Sequence, residues 1–130
     1  MNELTLARIL FKAQDCLESS QSSFEENFFA ASVNRAYYAM FHAVQALLFA
    51  SKSYTKTHSG AHSKFRELFI KTDILDKKLS ISLQRSFEKR QFSDYDYDEV
   101  LSEDAQESIN DAKLFLSTTI LYLKENNFLQ

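Results

Sequence analysis

The chain has no proline and no tryptophan, one glycine, Gly60, and one cysteine, Cys16, in 130 residues. With so little glycine and proline a turn-rich β architecture is nearly excluded, because hairpins and sheet corners draw on those residues for positive φ angles and fixed bends. Long helices joined by short connections are expected instead. A lone cysteine cannot form an internal disulfide, which fits a reducing cytoplasm. No apolar run reaches the roughly 18 residues that cross a bilayer, and the first residues lack a basic stretch followed by an apolar block. A soluble cytoplasmic protein without a membrane partner is therefore expected. One glycine could not build a Gly-rich phosphate loop, a nucleophile elbow or a Rossmann fingerprint, so no cofactor is expected either. The formal net charge of −3 argues against a surface that grips nucleic acid everywhere, and any such site must be a local basic groove.

What is present is a chain long enough to bury a core, read as one helical domain over residues 1–130. Its organising stretch is Asn34-Arg35-Ala36-Tyr37-Tyr38-Ala39-Met40-Phe41-His42. At about 3.6 residues per turn, Val33, Tyr37, Met40, Val44, Leu47 and Leu48 form one apolar stripe. Arg35, Tyr38, His42, Gln45 and Phe49 form a second, which sets a cation, a phenol and an imidazole on one side of a greasy helix. The two tyrosines differ accordingly: Tyr37 belongs to the core, and Tyr38 to the Arg35 face.

Around this central helix, residues 3–19 carry Leu6, Ile9, Leu10, Ala13, Cys16 and Leu17 at helical spacing. The serines of residues 19–23 then predict a break. Ser22 with Glu25, and Ser23 with Glu26, fit capping boxes that would start the central helix at Phe24 and carry it to about Ser51, with a kink or interruption near residues 27–30. A polar loop over 51–60 follows. A third helix over 62–71 points Phe65, Leu68 and Phe69 inward, and a fourth, capped by Asp76, runs through Leu79, Leu83 and Phe87 to about Arg90. Residues 94–99 read as an acidic turn with tyrosines. A fifth helix starts at Ser102, with Glu103 and Asp104 where the helix dipole favours acids. The fold class is thus all-α, a five-helix up-and-down antiparallel bundle. Twelve phenylalanines exceed what five such helices bury comfortably, which points to a second subunit.

The strings Asn34-Arg-Ala-Tyr-Tyr-Ala-Met-Phe-His42, Lys56-Thr-His-Ser-Gly60 and Arg90-Gln-Phe-Ser-Asp94-Tyr95, in this order, resemble the HEPN domain, and more narrowly the small stand-alone prokaryotic HEPN proteins often paired with nucleotidyltransferases. The resemblance implies a helical bundle that forms a homodimer, with functional residues facing a cleft between subunits. It implies partners: a nucleotidyltransferase, and RNA or a nucleotide as ligand. Many members are metal-independent ribonucleases, frequently toxins of toxin-antitoxin pairs, that use an Arg and a His separated by four to six residues. Arg35 and His42 match that spacing, while Arg90 lies on the helix that usually carries the motif. There Asp94 and Tyr95 stand where the His is expected. Two functions follow: a helical module that binds nucleotide, RNA or a partner protein without turnover, or a metal-independent endoribonuclease toxin.

The residues can carry either. RNA cleavage through the 2′-hydroxyl needs a proton carrier, which His42 could be, and a cation for the phosphorane charge, which Arg35 or Arg90 could supply. Tyr38, Asp94 and Tyr95 are the accompanying ligand-binding candidates. The alternative is structural: Arg35 pairs with an acid such as Asp94, His42 is a satisfied core residue, and Arg90 and Asp94 form an ordinary intrahelical ion pair. His58 and His62 have the spacing of two ligands on one helix face, yet Gly60 lies between them and no third ligand follows, so a zinc site is disfavoured. The acidic run from Asp94 begins like a calcium loop, but Glu99 stands where the glycine should be and Ala105 where the final Glu should be. No metal is expected. Tyr95 and Tyr97 are exposed candidates for nucleotide attachment by the partner enzyme.

Overall fold

The computed structural model describes residues 4–95, 97 and 99–130, with the side chains of Asp94 and Tyr95 outside the described set. Among these residues there are five α-helices and no strand: α1 (Leu6–Glu25), α2 (Phe29–Ala50), α3 (His58–Phe65), α4 (Lys77–Tyr95) and α5 (Ser102–Glu125). A π-helical turn, Arg66–Ile70, extends α3. None of the described helices is long and apolar enough to cross a membrane.

The apolar stripe of α2 is the centre of the bundle. Val33, Tyr37, Met40, Val44, Leu47 and Leu48 are all fully buried, each stabilising by about 1.5–3 kcal/mol at typical side-chain transfer values. Against them pack Ile9, Ala13, Cys16 and Leu17 of α1, Leu79 and Leu83 of α4, and Ala112, Phe115, Leu116 and Leu123 of α5. Phe65 and Phe69 meet α5 through Phe115 and Tyr122, at ring separations of 5.5 Å in each case. On the outer face, Arg85 and Lys89 of α4 bond Asp111 and Glu107 of α5, the register of two antiparallel helices.

The expected break at the serines does not occur. α1 runs through them to Glu25, and Ser20 meets Ser32 of α2 in the buried crossing. The Ser20 hydroxyl donates to the Ser32 carbonyl at 2.6 Å, and the Ser32 hydroxyl donates to the Ser20 carbonyl at 2.9 Å. Small side chains that satisfy one another let two helices approach closely, so the serine run marks a contact and not a loop. The capping boxes therefore do not form, and α2 begins at Phe29, not Phe24. The real turn lies at the interruption expected near residues 27–30. Asn27 takes φ 65°, the Asn27 amide bonds the Phe24 carbonyl and the Phe28 amide bonds the Ser23 carbonyl, a Schellman closure.

Lys52 and Asn127 repeat this closure at φ 59° and 64°, and Asp73 takes φ 59° in the turn after Arg66–Ile70. Among the described residues, α1, α2 and α5 each end on a left-handed residue that carries a side chain, as does the turn after Arg66–Ile70. The glycine is used elsewhere. Gly60 sits in the first turn of α3, where its amide donates to the capping hydroxyl of Thr57 at 3.0 Å. A Cβ there would lie 2.6 Å from that same hydroxyl oxygen. α3 accordingly starts at His58, four residues before the expected position. Asp76 does cap α4, its carboxylate accepting from the Lys78 amide at 2.9 Å.

Candidate functional site

The second stripe of α2 is the less buried side of that helix, and three elements converge on it. α2 supplies Arg35, Tyr38 and His42; α4 supplies Arg90; the start of α3 supplies His58. The guanidinium of Arg35 lies 5.0 Å from the Tyr38 ring centroid, and that of Arg90 lies 5.3 Å from the same centroid and 5.8 Å from the ring of Tyr37. One phenol ring is thus shared by two cations, each attracted to its π face. Arg35 is oriented by its neighbour: Nε and Nη2 donate to Asn34 Oδ1 at 3.1 and 2.9 Å. Its Nη1 lies 3.9 Å from Cys16 Sγ. Asn34 thus holds Arg35 in place from the preceding position of the same helix. The suggested acid, Asp94, lies with its side chain outside the described residues, as does Tyr95.

His42 follows Tyr38 by one turn, with ring centroids 6.3 Å apart. Burial, then the positive charges of Lys12 and Arg35 and the ring of His58, hold its pKa down to about 4. It is therefore a neutral imidazole at pH 7, able to accept a proton. Together with Phe41 and Gln45 it lines a cleft of about 340 Å³ between α1 and α2, into which Arg8, Lys12, Tyr54 and Lys56 also project.

A second imidazole stands in the cluster as well. His58 Nδ1 lies 2.8 Å from the Tyr37 hydroxyl and His62 Nε2 lies 3.0 Å from it. The hydroxyl carries one hydrogen, so one imidazole accepts and the other donates, and their tautomers are linked. The His58 ring stacks on Phe41 at 4.1 Å and stands edge-on to Tyr38 at 5.7 Å. Burial and the charge of Arg90 lower its pKa. The spacing of four between His58 and His62 was visible in the sequence. That both reach the hydroxyl of a core tyrosine needed the packing of α3 against α2. Among the described residues no three metal-ligating side chains stand together.

Of the sequence candidates, then, the fold brings Arg35, Tyr38, His42 and Arg90 into one cluster and adds Tyr37 and His58.

Comparison with known proteins agrees with this architecture. The HEPN domain family model matches residues 6–124. A Methanocaldococcus jannaschii protein named "Putative toxin MJ0142" is 35% identical over 126 residues, covering 96% of this chain and 86% of the relative. A second protein of that organism, "Putative toxin MJ0605", is 29% identical over 87% of this chain and 84% of its own length. An Archaeoglobus fulgidus protein named only "UPF0332 protein" is 33% identical, over 89% of this chain and 91% of its own.

Proposed function

The chain belongs to the HEPN domain family, and from that premise we propose that it is a toxin-type member that acts on RNA as a metal-independent endoribonuclease. The observation that carries the reading is the pair of guanidinium groups, Arg35 and Arg90, on one Tyr38 ring beside imidazoles that are neutral at pH 7. A phosphodiester has the geometry that guanidinium groups clamp.

In this reading Arg35 and Arg90 hold the scissile phosphate and stabilise the charge of the phosphorane. His42 takes the proton of the attacking 2′-hydroxyl and returns one to the departing 5′-oxygen. A pKa of about 4 makes free His42 a weak base, and the negative charge of a bound phosphate raises it toward neutrality. A second copy of the chain completes the cleft, supported by Phe11, Phe28, Phe92 and Phe128, which are 74%, 60%, 42% and 45% exposed and suit an apolar interface. A nucleotidyltransferase is the partner proposed to restrain it.

The second reading is recognition of RNA without turnover. It is favoured by the same depressed His42 and by the segment after Arg90, where Asp94 and Tyr95 stand in place of the histidine that the resemblance to HEPN ribonucleases implies. One experiment separates the two: total RNA incubated with the purified protein in chelator, at pH 7. Cleavage lost in both His42→Ala and Arg90→Ala supports the enzyme. An intact RNA pool across a protein titration leaves the binding module, and cleavage that survives His42→Ala removes the proton-carrier role given to that residue.

A further inference from the structure

We infer that His58 is a second catalytic imidazole, which gives a proton from Nε2 to the departing 5′-oxygen while His42 takes the proton of the attacking 2′-hydroxyl. The inference rests on the nuclease reading above and divides between two rings the transfers given there to His42.

His58 is anchored at one end only. Its Nδ1 meets the Tyr37 hydroxyl at 2.8 Å, while Nε2, on the opposite flank of the ring, has no hydrogen-bond partner among the described residues. The residue is half-buried. His62 shares the same hydroxyl at 3.0 Å but is only 5% exposed. A polar ring kept for packing alone is enclosed and satisfied; His58 keeps one nitrogen in reserve at the edge of the core.

Its position relative to His42 suits the reaction. The His58 ring stacks on Phe41 at 4.1 Å, and the His42 ring lies 5.6 Å from that same Phe41 ring. Both imidazoles also border Tyr38, at 5.7 and 6.3 Å. One comes from α3 and the other from α2, so they approach the Arg35 and Tyr38 face from different elements. In-line displacement sets the attacking and leaving oxygens on opposite sides of phosphorus. Two proton carriers at separate positions serve that geometry better than one.

Tyr37 decides which ring is the acid. A protonated imidazole has two N–H groups to place. The Tyr37 oxygen can accept from His58 Nδ1 while the phenol hydrogen turns to His62 Nε2, because burial and then Arg66 and His58 hold His62 neutral with a pKa of about 4. His42 faces burial and the charges of Lys12 and Arg35, which keep it in the neutral form that a base requires. Burial and Arg90 lower the pKa of free His58 too, and a bound phosphate favours its protonated form. As the O2′–P bond forms and the P–O5′ bond breaks, His42 gains the hydroxyl proton and the leaving oxygen takes the electron pair and the Nε2 proton of His58. The products are a 2′,3′-cyclic phosphate and a 5′-hydroxyl, and exchange with water resets both rings.

The test compares two short oligoribonucleotides, one natural and one with sulfur in place of the scissile 5′-oxygen, cleaved by the full chain in chelator. A thiolate leaves without a proton, so sulfur removes the need for the acid but not for the base. His58→Asn is the informative variant, since its amide can meet Tyr37 in the place of Nδ1 while Nε2 is deleted. It should lose about a hundredfold or more on the natural substrate and stay within about threefold of the wild type on the sulfur substrate. His42→Ala should be slow on both. Wild-type activity on the natural substrate in His58→Asn would overturn the inference and leave the nuclease reading standing. Equal losses on the two substrates by a variant that circular dichroism shows to be folded would also overturn it, making His58 a structural residue. Rescue by sulfur of His42→Ala instead would overturn it by exchanging the two roles. A wild type that cuts neither substrate would overturn the nuclease reading and this inference with it. Should His58→Asn fail to fold, His58→Gln, whose amide is equally unable to act as an acid, takes its place in the same comparison.

Discussion

Tyr37 Oη lies 2.8 Å from His58 Nδ1, so a fully buried residue of the central helix fixes the first residue of α3. The same hydroxyl reaches His62 at 3.0 Å, and burial raises its pKa far above the ordinary phenol value, against the lowering charge of Arg90. The tyrosine therefore stays protonated, and its single hydrogen decides which imidazole donates. His58 is carried into the cluster of Arg90 and Tyr38 by this arrangement.

Tyr37→Phe should therefore cost stability although the ring is retained. It leaves two imidazole nitrogens without their partner, a loss of about 1–3 kcal/mol by the usual cost of stranded buried polar groups. Urea denaturation gives the number. Nitrogen chemical shifts of His58 should show one tautomer in the wild type and a mixture in the variant. An unchanged tautomer with unchanged stability would mean that the hydroxyl bridge has no energetic role.

Acid should destabilise the fold before its carboxylates titrate. His42 and His62 have pKa values lowered to about 4, His62 by burial and then by Arg66 and His58, against about 6.5 in an unfolded chain. Between those values the unfolded state binds more protons than the folded one. Stability therefore rises with pH through that window, is fully present above pH 6.5, and is lost as pH falls toward 4. The melting temperature should drop by roughly 5–10 °C from pH 7 to pH 5. His62→Gln should flatten that dependence, and an equally steep profile in the variant would assign the acid sensitivity to other groups.

Tyr38 should act through its ring. Both Arg35 and Arg90 approach its face, so Tyr38→Phe is expected to leave stability and RNA affinity within about twofold. Tyr38→Leu removes two cation–π contacts, at about 0.5–1 kcal/mol each, and frees the guanidinium groups to separate. RNA affinity measured by anisotropy should fall by roughly tenfold or more. Equal loss in Tyr38→Phe would shift the role to the hydroxyl.

The glycine and the left-handed positions predict opposite signs for similar changes. Gly60→Ala normally favours a helix, but the new Cβ would meet the Thr57 hydroxyl at 2.6 Å and the Thr55 hydroxyl at 2.9 Å. The cap is displaced, and a net loss of about 1 kcal/mol is expected. Lys52 holds φ 59° after α2, and Lys52→Gly relieves that strain, stabilising by about 0.5–1 kcal/mol. Chemical denaturation of the two variants checks both signs.

Much of the site was readable because it lies on one helix. The period of α2 places Arg35, Tyr38 and His42 on one side, whatever packs against them. Arg90 was reachable only through the resemblance to HEPN proteins, since nothing in the local pattern of α4 joins it to Tyr38. His58 was misplaced into a loop because its helix begins on the hydroxyl of Thr57, and the only glycine lies two residues later. The serines of α1 misled for a related reason. Their composition is that of a loop, but the Ser20 and Ser32 hydroxyls find each other across a helix crossing that no local rule reveals.

What the sequence determined by itself is the material of the fold: helices, from the scarcity of glycine and proline, and a core stripe on α2, from apolar residues at helical spacing. Tertiary structure decided the chemistry of the site. Hydrogen bonds and charges act over a few ångströms, so the sharing of Tyr38 by two guanidinium groups, the neutral state of His42 and the joining of His58 to His62 through Tyr37 all arise where separate helices meet.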